Sequence, residues 1–325
     1  MYELRKDPIL SRWAAIPAKS LKPEEYPSFS APMKDCVPAP SPWLPVAAPD
    51  YITVESGPSG VRVLKAAPFP DESGRLGRRG DGIYDKMNSV VVHEVVLEGQ
   101  GDASGALTFR PYLDIYLRRI SALVKDARLR YVFIFRNMTG DANGSNCGIE
   151  RLHSEILATP VIPDFIKREL DGAKQYYEYK ERCIFCDIAG EEERLGTRVI
   201  TRTEHFIALC PYAPRQPFEF WIVPWRHSCA FEDISEPELD DLGRLLPELL
   251  GRMGRALNHP PGHFYIHTAP NRIPRKNHWH TLGDDYHWHI EVLPGLGPMS
   301  AVDLGSGLSF LATSPEDAAQ CIRNA

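Results

Sequence analysis

The sequence predicts an α+β fold made of two tandem related units, each an antiparallel sheet with packed helices. Two observations predict this architecture. Strand-like and helix-like segments follow one another in the same order in both halves, and one histidine-containing motif occurs twice, 136 residues apart. The repeat pairs Arg151, His153 and Glu155 with His287, His289 and Glu291. Because self-similarity at a fixed spacing is typical of a duplicated unit, we expect RLHSE and HWHIE to occupy equivalent places.

The first unit is predicted from the periodicity of its apolar residues. The segment 89–99, SVVVHEVVLEG, is predicted as a strand, and 109–125 has apolar residues at helical spacing. A strand at 130–137 and the strand-like LHSEILATPVIP follow. Many of the 29 prolines lie near the N-terminus. Since proline lacks the backbone donor that a sheet interior needs, we expect residues 1–80 to be a looped region.

The second unit repeats this order. It begins with the strand-like FEFWIVPWRH, continues with a helix over 234–253 whose cap pattern centres on Ser235, and ends with the strand-like segments HFYIHTAP and YHWHIEVLP. A helix at 165–180 is expected to bridge the two halves. The chain is thereby divided into an N-terminal domain, 1–175, and a C-terminal domain, 176–325.

Composition limits the classes of function. The 325-residue chain carries a formal net charge of −6, which gives no general attraction to nucleic acid or to an anionic membrane. No apolar run reaches the length of a membrane span, and the N-terminus lacks the apolar core of a signal peptide. The seven cysteines are an odd number with one close pair, which argues against a secreted disulfide framework. We therefore expect a cytoplasmic enzyme.

Two features carry possible chemistry in the second half. His287 and His289 alternate along a predicted strand and so point to one face, which in most strands would be apolar. The imidazoles indicate either a catalytic centre or a metal site. The pair Cys183-x-x-Cys186 leaves a choice between a metal knuckle and a redox pair. No thioredoxin context or βαβ pattern surrounds it, which favours the metal.

Several segments, in this order, resemble the galactose-1-phosphate uridylyltransferase family of the histidine triad superfamily: DPILSRWAAIPAKSLKP, HEVVLEG, FRNMTGDANGS, LHSEILATPVIP, CIFCDI, PFEFWIVPWRH and YHWHIEVLP. They cover most of the chain. The resemblance implies two histidine-triad-like domains and the transfer of a nucleoside monophosphate between a nucleotide sugar and a sugar phosphate. In the family, a histidine of a His-Pro-His-x-Gln strand attacks the α-phosphorus and forms a nucleotidyl-histidine. The resemblance assigns that nucleophile to His153.

Around His153 the sequence departs from the family pattern. Glu155 replaces the glutamine that donates a hydrogen bond to phosphate, and an ionised carboxylate offers no such donor. Gly148 stands in place of a serine, and Arg151 in place of the first histidine. The substrate-binding residues implied by the resemblance are Lys19, Lys22, Asn137 and Ser154. The two lysines keep the charge of the family's arginines but not their bidentate geometry.

The family's first-half zinc site is incomplete in this sequence. Cys36 lacks its second cysteine, and Asp102 and Arg151 occupy the places of two histidine ligands. We expect Asp102 and Arg151 to form an ion pair where a metal would otherwise tie the loop to the strand.

The corresponding zinc pattern is complete in the second half. Its residues are Cys183, Cys186, His227 and His287. Two thiolates and two imidazoles suit tetrahedral zinc, which is the cofactor we expect. The resemblance also implies a competing metal set of Glu169, His267, His287 and His289. We prefer the cysteine-containing set because thiolates bind zinc tightly.

The expected function is a galactose-1-phosphate uridylyltransferase-like nucleotidyltransferase that acts through His153 on a nucleotide sugar and a sugar phosphate. The resemblance also implies a homodimer. Three alternatives stay open. The chain could be a nucleotide-sugar phosphorylase, a hydrolase in which Glu155 is the general base for water, or a zinc-stabilised protein that binds nucleotides or sugar phosphates without catalysis.

Overall fold

The computed structural model describes residues 2–26, 51–56, 62–66, 77–87, 90–97, 109–138, 153–274, 279–297 and 301–325. The strands are β1 Tyr2–Lys6, β2 Trp13–Pro17, β3 Tyr51–Ser56, β4 Arg62–Ala66, β5 Arg78–Asp81, β6 Tyr84–Met87, β7 Val92–Leu97, β8 Tyr131–Met138, β9 His153–Thr159, β10 Val199–Arg202, β11 Phe206–Leu209, β12 Phe220–Pro224, β13 Gly262–His267, β14 His289–Pro294 and β15 Ser309–Phe310. The helices are α1 Arg110–Leu123, α2 Asp164–Lys180, α3 Ile184–Leu195, α4 Glu236–Leu257, α5 Leu282–Asp285, α6 Ala301–Ser306 and α7 Pro315–Asn324.

One ten-stranded sheet contains the repeated strands of both halves, in the order β10-β11-β12-β14-β13-β8-β9-β7-β4-β3. All its strand pairings are antiparallel. Strands β8 and β13 pair with each other and join the halves, with Phe135 opposite Tyr265. The α+β prediction is confirmed. The predicted boundary after residue 175 falls inside α2 and stays a prediction.

The register aligns the two copies of the motif. Glu155 on β9 lies between Val95 of β7 and Phe135 of β8. Glu291 on β14 lies in the same way between Trp221 of β12 and Tyr265 of β13. RLHSE and HWHIE therefore hold equivalent places as far as they are described. Since directly opposed residues of an antiparallel pair share a face, both glutamates lie on one face of the sheet.

Apolar residues pack on both faces of this sheet. On one face α1, α4 and α7 pack against inward residues of both halves, among them Ile134, Ile156 and Ile290. On the other face α2 and α3 pack mainly against the second half, around Leu170 and Phe185. This second face also carries Glu155 and Glu291. Among the described residues no helix is long and apolar enough to cross a membrane.

The prediction that residues 1–80 form a looped region was wrong in part. Strands β1 and β2 pair antiparallel, β2 pairs parallel with β15 near the C-terminus, and β3 and β4 extend the large sheet at its edge. The physical reason lies in the spacing of the prolines. The segment 13–17 has one proline, at its end, and buries Ala14, Ala15 and Ile16, which local proline density does not reveal.

Glu238 stabilises the first turn of α4, and its effect can be measured. Its carboxylate accepts hydrogen bonds from the amide and hydroxyl of Ser235, at 2.7 Å each, and from the Arg226 guanidinium at 2.8 Å. Burial opposes ionisation, but these bonds outweigh it and lower the pKa of Glu238 to about 2. We expect Glu238→Gln to lower the free energy of unfolding by about 1 kcal/mol at pH 7.

The effect of Glu238→Gln on the free energy of unfolding should decrease at low pH. A carboxyl group whose pKa is lower in the folded chain than in the unfolded chain stabilises the folded state. This stabilisation is complete above the pKa of the unfolded chain, here about 4.5, and is lost as the pH falls toward about 2. Urea unfolding at pH 7 and pH 3 should therefore show a smaller difference between wild type and Glu238→Gln at the lower pH. The control is Glu248→Gln, which changes an exposed carboxylate on the same helix that is paired with Arg252. A difference that is the same at both pH values would contradict this account.

Candidate functional site

The first-half site is built on the start of β9. His153 is the first residue of the strand and is 6 % exposed. Glu155 follows two residues later on the same face and is 1 % exposed. Asn137 lies on β8 two residues after Phe135, the partner of Glu155, and so lies on the same face of the sheet. The structure therefore places three of the predicted site residues on one face of the sheet.

Glu155 has a partner that the sequence did not indicate. His93 Nε2 lies 2.8 Å from Glu155 Oε2, and both side chains are almost fully buried. Strand β7 places Val95 opposite Glu155, so His93 is its diagonal neighbour on the same face. The motif HEVVLEG contained this histidine, but no local pattern links it to a strand some 60 residues later.

The other predicted substrate-binding residues are placed differently. Ser154 lies on the opposite face of β9, where the Tyr116 hydroxyl of α1 donates a hydrogen bond to its Oγ. The structure thus does not bring its hydroxyl together with His153. Lys19 and Lys22 are exposed. The backbone between them is tied to the C-terminal segment through the hydrogen bond from Leu21 N to Ala312 O.

Part of the first-half prediction lies outside the described residues. Cys36, Asp102, Gly148 and Arg151 all belong to that part of the chain, so the predicted ion pair of Asp102 with Arg151 stays a prediction.

Four residues of the second half gather into one cluster that could hold a metal. Cys183 precedes α3 and Cys186 lies in its first turn, while His227 follows β12 and His287 precedes β14. The Sγ atom of Cys186 is 3.4 Å from Nδ1 of His227 and 3.4 Å from Nδ1 of His287. One ligand atom from each of the four residues lies within 4.8 Å of all the others.

The chemistry of this cluster fits zinc. Hydrogen bonds from Cys183, His227 and His287 lower the pKa of the Cys186 thiol, which favours the thiolate that a metal binds. His227 Nε2 lies 2.9 Å from the Gly283 carbonyl, so the ring can donate there and turn its Nδ1 lone pair toward the sulfur atoms. Two sulfur and two nitrogen ligands match the tetrahedral preference of zinc.

A second group of possible metal ligands lies beside the first. It consists of Glu169, His267, His289 and Glu291, all at most 3 % exposed, and their ligand atoms also lie within 4.8 Å of one another. The resemblance implied His287 as a competing member of this set, but the structure groups His287 with the preferred cysteine-containing set, and Glu291 lies here instead. The reason is that His287 lies before β14 and contacts Cys186, whereas His289 and Glu291 alternate within the strand.

His289 and Arg215 define the electrostatics of this second group. His289 Nδ1 is 3.1 Å from the His287 carbonyl, and its Nε2 lies 3.6 Å from Glu291 and 4.0 Å from Glu169. The Arg215 guanidinium contacts both Glu219 and Glu291. Burial alone would raise the pKa of Glu291, but the charges of Arg215 and His267 hold it well below its usual value. These neighbouring positive charges therefore favour the ionised form of the Glu291 carboxyl group.

Comparison with known proteins agrees with this architecture. No protein-family profile matches the chain. It is 28 % identical over 345 aligned positions to an ADP-glucose phosphorylase of Arabidopsis thaliana, covering 99 % of this chain and 92 % of that protein. It is 24 % identical to a galactose-1-phosphate uridylyltransferase of Thermotoga maritima, covering 99 % and 98 %. The crystal structure of a GALT-like protein from Arabidopsis thaliana superposes with a TM-score of 0.74 at 27 % identity, covering 100 % of this chain and 99 % of that one.

These relatives match the chain along nearly its whole length, and the structural match includes both halves of the large sheet. The motifs that carried the resemblance lie on the strands that form the two sites. The first-half motif departs from the family at Glu155 and Arg151. The chain is thus similar over nearly its whole length to a galactose-1-phosphate uridylyltransferase and to an ADP-glucose phosphorylase, and its first-half motif is divergent.

Proposed function

We propose that this chain transfers a nucleoside monophosphate from a nucleotide sugar to a phosphate-bearing acceptor, through a covalent bond to His153. The observation that carries the proposal is the position of His153 on β9, on the sheet face shared with Glu155 and Asn137. An enzyme of this family uses the equivalent histidine as its nucleophile. The relatives named as uridylyltransferase and ADP-glucose phosphorylase support a donor of this class.

The reaction balances in two displacements. A neutral ring nitrogen of His153 attacks the α-phosphorus, the P–O bond to the sugar phosphate breaks, and the sugar 1-phosphate leaves with the bonding electron pair. A phosphate oxygen of the acceptor then attacks the same phosphorus, the P–N bond breaks, and the imidazole is restored. An imidazole suits both steps because it is nucleophilic when neutral and forms a reactive phosphoramidate.

The acceptor distinguishes two candidate activities. A sugar 1-phosphate acceptor would make the chain a uridylyltransferase-like enzyme, as its motifs suggest. Inorganic phosphate would make it a nucleotide-sugar phosphorylase, and the similarity to the ADP-glucose phosphorylase along the chain favours testing this acceptor first. A crystal structure of that Arabidopsis enzyme with bound ADP-glucose, at 24 % identity, has the same fold.

We also propose that zinc occupies the cluster of Cys183, Cys186, His227 and His287. The metal would tie α3 to the segments that precede β14 and follow β12. Its contribution there is structural, because all four coordination positions are filled by the protein. The neighbouring group around Glu169 and Glu291 offers a second, oxygen-richer site for a divalent cation.

Intact-protein mass spectrometry tests the proposed transfer. The purified protein is incubated with ADP-glucose or UDP-glucose without acceptor, and we expect a mass increase of one nucleoside monophosphate. Adding inorganic phosphate or a hexose 1-phosphate should then remove the adduct and release the nucleotide product of the matching acceptor. Absence of an adduct with both donors would contradict the proposal. Free nucleoside monophosphate formed without acceptor would instead indicate hydrolysis.

A further inference from the structure

His93, the hydrogen-bond partner of Glu155, affects how the altered motif can bind phosphate. Glu155 occupies the place of the family's phosphate-binding glutamine, yet a bare carboxylate would repel a phosphate. We propose that His93 is a positioning residue of the His153 site, which fixes Glu155 and compensates its charge so that the pair acts as one unit beside the phosphates of the nucleotide sugar. This inference rests on the proposed function of the same site.

The geometry of the pair is set by the backbone. His93 and Glu155 lie on adjacent strands, β7 and β9, and Nε2 of His93 is 2.8 Å from Oε2 of Glu155. The side chains are 1 % and 2 % exposed. A nitrogen and an oxygen at this distance are held by a proton between them, so the imidazole orients one carboxylate oxygen and leaves the other in a fixed position.

That second oxygen has no hydrogen-bond partner in the described part of the chain. Glu155 Oε1 is buried, and a buried carboxylate oxygen without a donor is unfavourable. Residues two apart on a strand have Cα atoms about 7 Å apart on the same face. A ligand bound against His153 would therefore come within reach of this oxygen and could supply the missing donor.

Glu155 has one hydrogen-bond partner in the described part of the chain, His93. Arg119 is bonded to Glu94, the neighbour of His93 in the chain, and so lies on the opposite face of β7. Within the described ranges, His93 is the group that makes a hydrogen bond to Glu155. A buried carboxylate that lost this partner would be strongly destabilised.

The second half supports this interpretation. Glu291, the equivalent of Glu155, is likewise buried, and there Arg215 provides the charge partner. The position that corresponds to His93 by register holds Glu219, which contacts the same arginine. In both halves the fold places a carboxylate at this point and gives it a nitrogen partner, His93 in the first half and Arg215 in the second.

A double-mutant cycle with two readouts tests the proposal. The variants are His93→Phe, Glu155→Gln and the double substitution, measured by calorimetric binding of ADP-glucose and UDP-glucose and by the rate of adduct formation. We expect His93→Phe to weaken binding of the preferred donor on the order of 100-fold, because Glu155 then faces the phosphates without its partner. In the Glu155→Gln background, the loss of donor binding caused by His93→Phe should be at least about tenfold smaller, because glutamine carries no charge. His93→Gln, which keeps a donor, should recover part of the loss.

A salt bridge on the other face of the same strand provides the matched control. A cycle with Glu94→Gln and Arg119→Leu should show coupling in urea unfolding but none in nucleotide-sugar binding. If the losses of donor binding in His93→Phe and Glu155→Gln were additive in the double variant, the inference would be overturned and the proposed function would still hold. A wild type that binds a nucleotide sugar without forming the adduct would overturn the proposed function, and the binding cycle would still decide the inference. No binding of either nucleotide sugar would overturn both.

Discussion

His153→Ala should abolish the nucleotidyl adduct and reduce turnover on the order of 1,000-fold or more. The substitution removes the atom that forms the covalent bond, so no remaining group on β9 can take over the first displacement. Donor binding should change much less, because binding and nucleophilic attack use different interactions. Intact mass after incubation with ADP-glucose or UDP-glucose reports the adduct, and calorimetry reports binding.

His205→Ala is the matched control for removing an imidazole. His205 lies in the turn between β10 and β11, and its carbonyl, which the substitution keeps, accepts a hydrogen bond from the Trp225 amide. This variant should form the adduct at the wild-type rate. If His153→Ala still acquired the mass of a nucleoside monophosphate, another residue would be the nucleophile and the proposed role of β9 would be wrong.

Cys186→Ser should release zinc and lower the thermal midpoint by roughly 10 °C. Cys186 lies at the centre of its cluster, in contact with His227 and His287. Removing a thiolate leaves three ligands, and the free energy of metal binding that stabilises the fold is largely lost. Metal analysis of the purified protein gives the zinc content, and calorimetric unfolding gives the midpoint.

Cys321→Ser serves as the control for loss of a thiol. Cys321 lies on α7, away from the metal cluster, and packs partly buried against the large core. It should keep the zinc content of wild type and lose little stability. A Cys186→Ser protein that retains wild-type zinc and the same midpoint would rule out the structural metal at this cluster. Two equivalents of metal in wild type, one of them kept by Cys186→Ser, would place a cation at the group around Glu169.

Local patterns were sufficient for the α+β class and for the main helices and strands of the repeated units. The spacing of apolar residues in α1 and α4, and the alternation in β9 and β14, follow directly from the helical and strand periods. The same alternation already implied that His153 and Glu155 share a face and that Ser154 does not. The Cys-x-x-Cys pair could also be identified from its spacing, whereas the choice of its two histidines came from the family resemblance.

Contacts between distant segments could not be predicted from any local pattern. The strand register places His93 beside Glu155. It also places His287 in contact with Cys186, whereas His289 lies next to Glu169 and Glu291. It also makes strands of 2–6 and 13–17, which a high local content of proline had suggested were loops.

The sequence by itself determined the α+β class, the duplication and the residue types of both sites. Only the tertiary structure decided which of those residues meet. The physical reason is that side-chain type and periodicity are properties of a few neighbouring residues, whereas register and pairing depend on burying one face of a sheet assembled from segments more than a hundred residues apart.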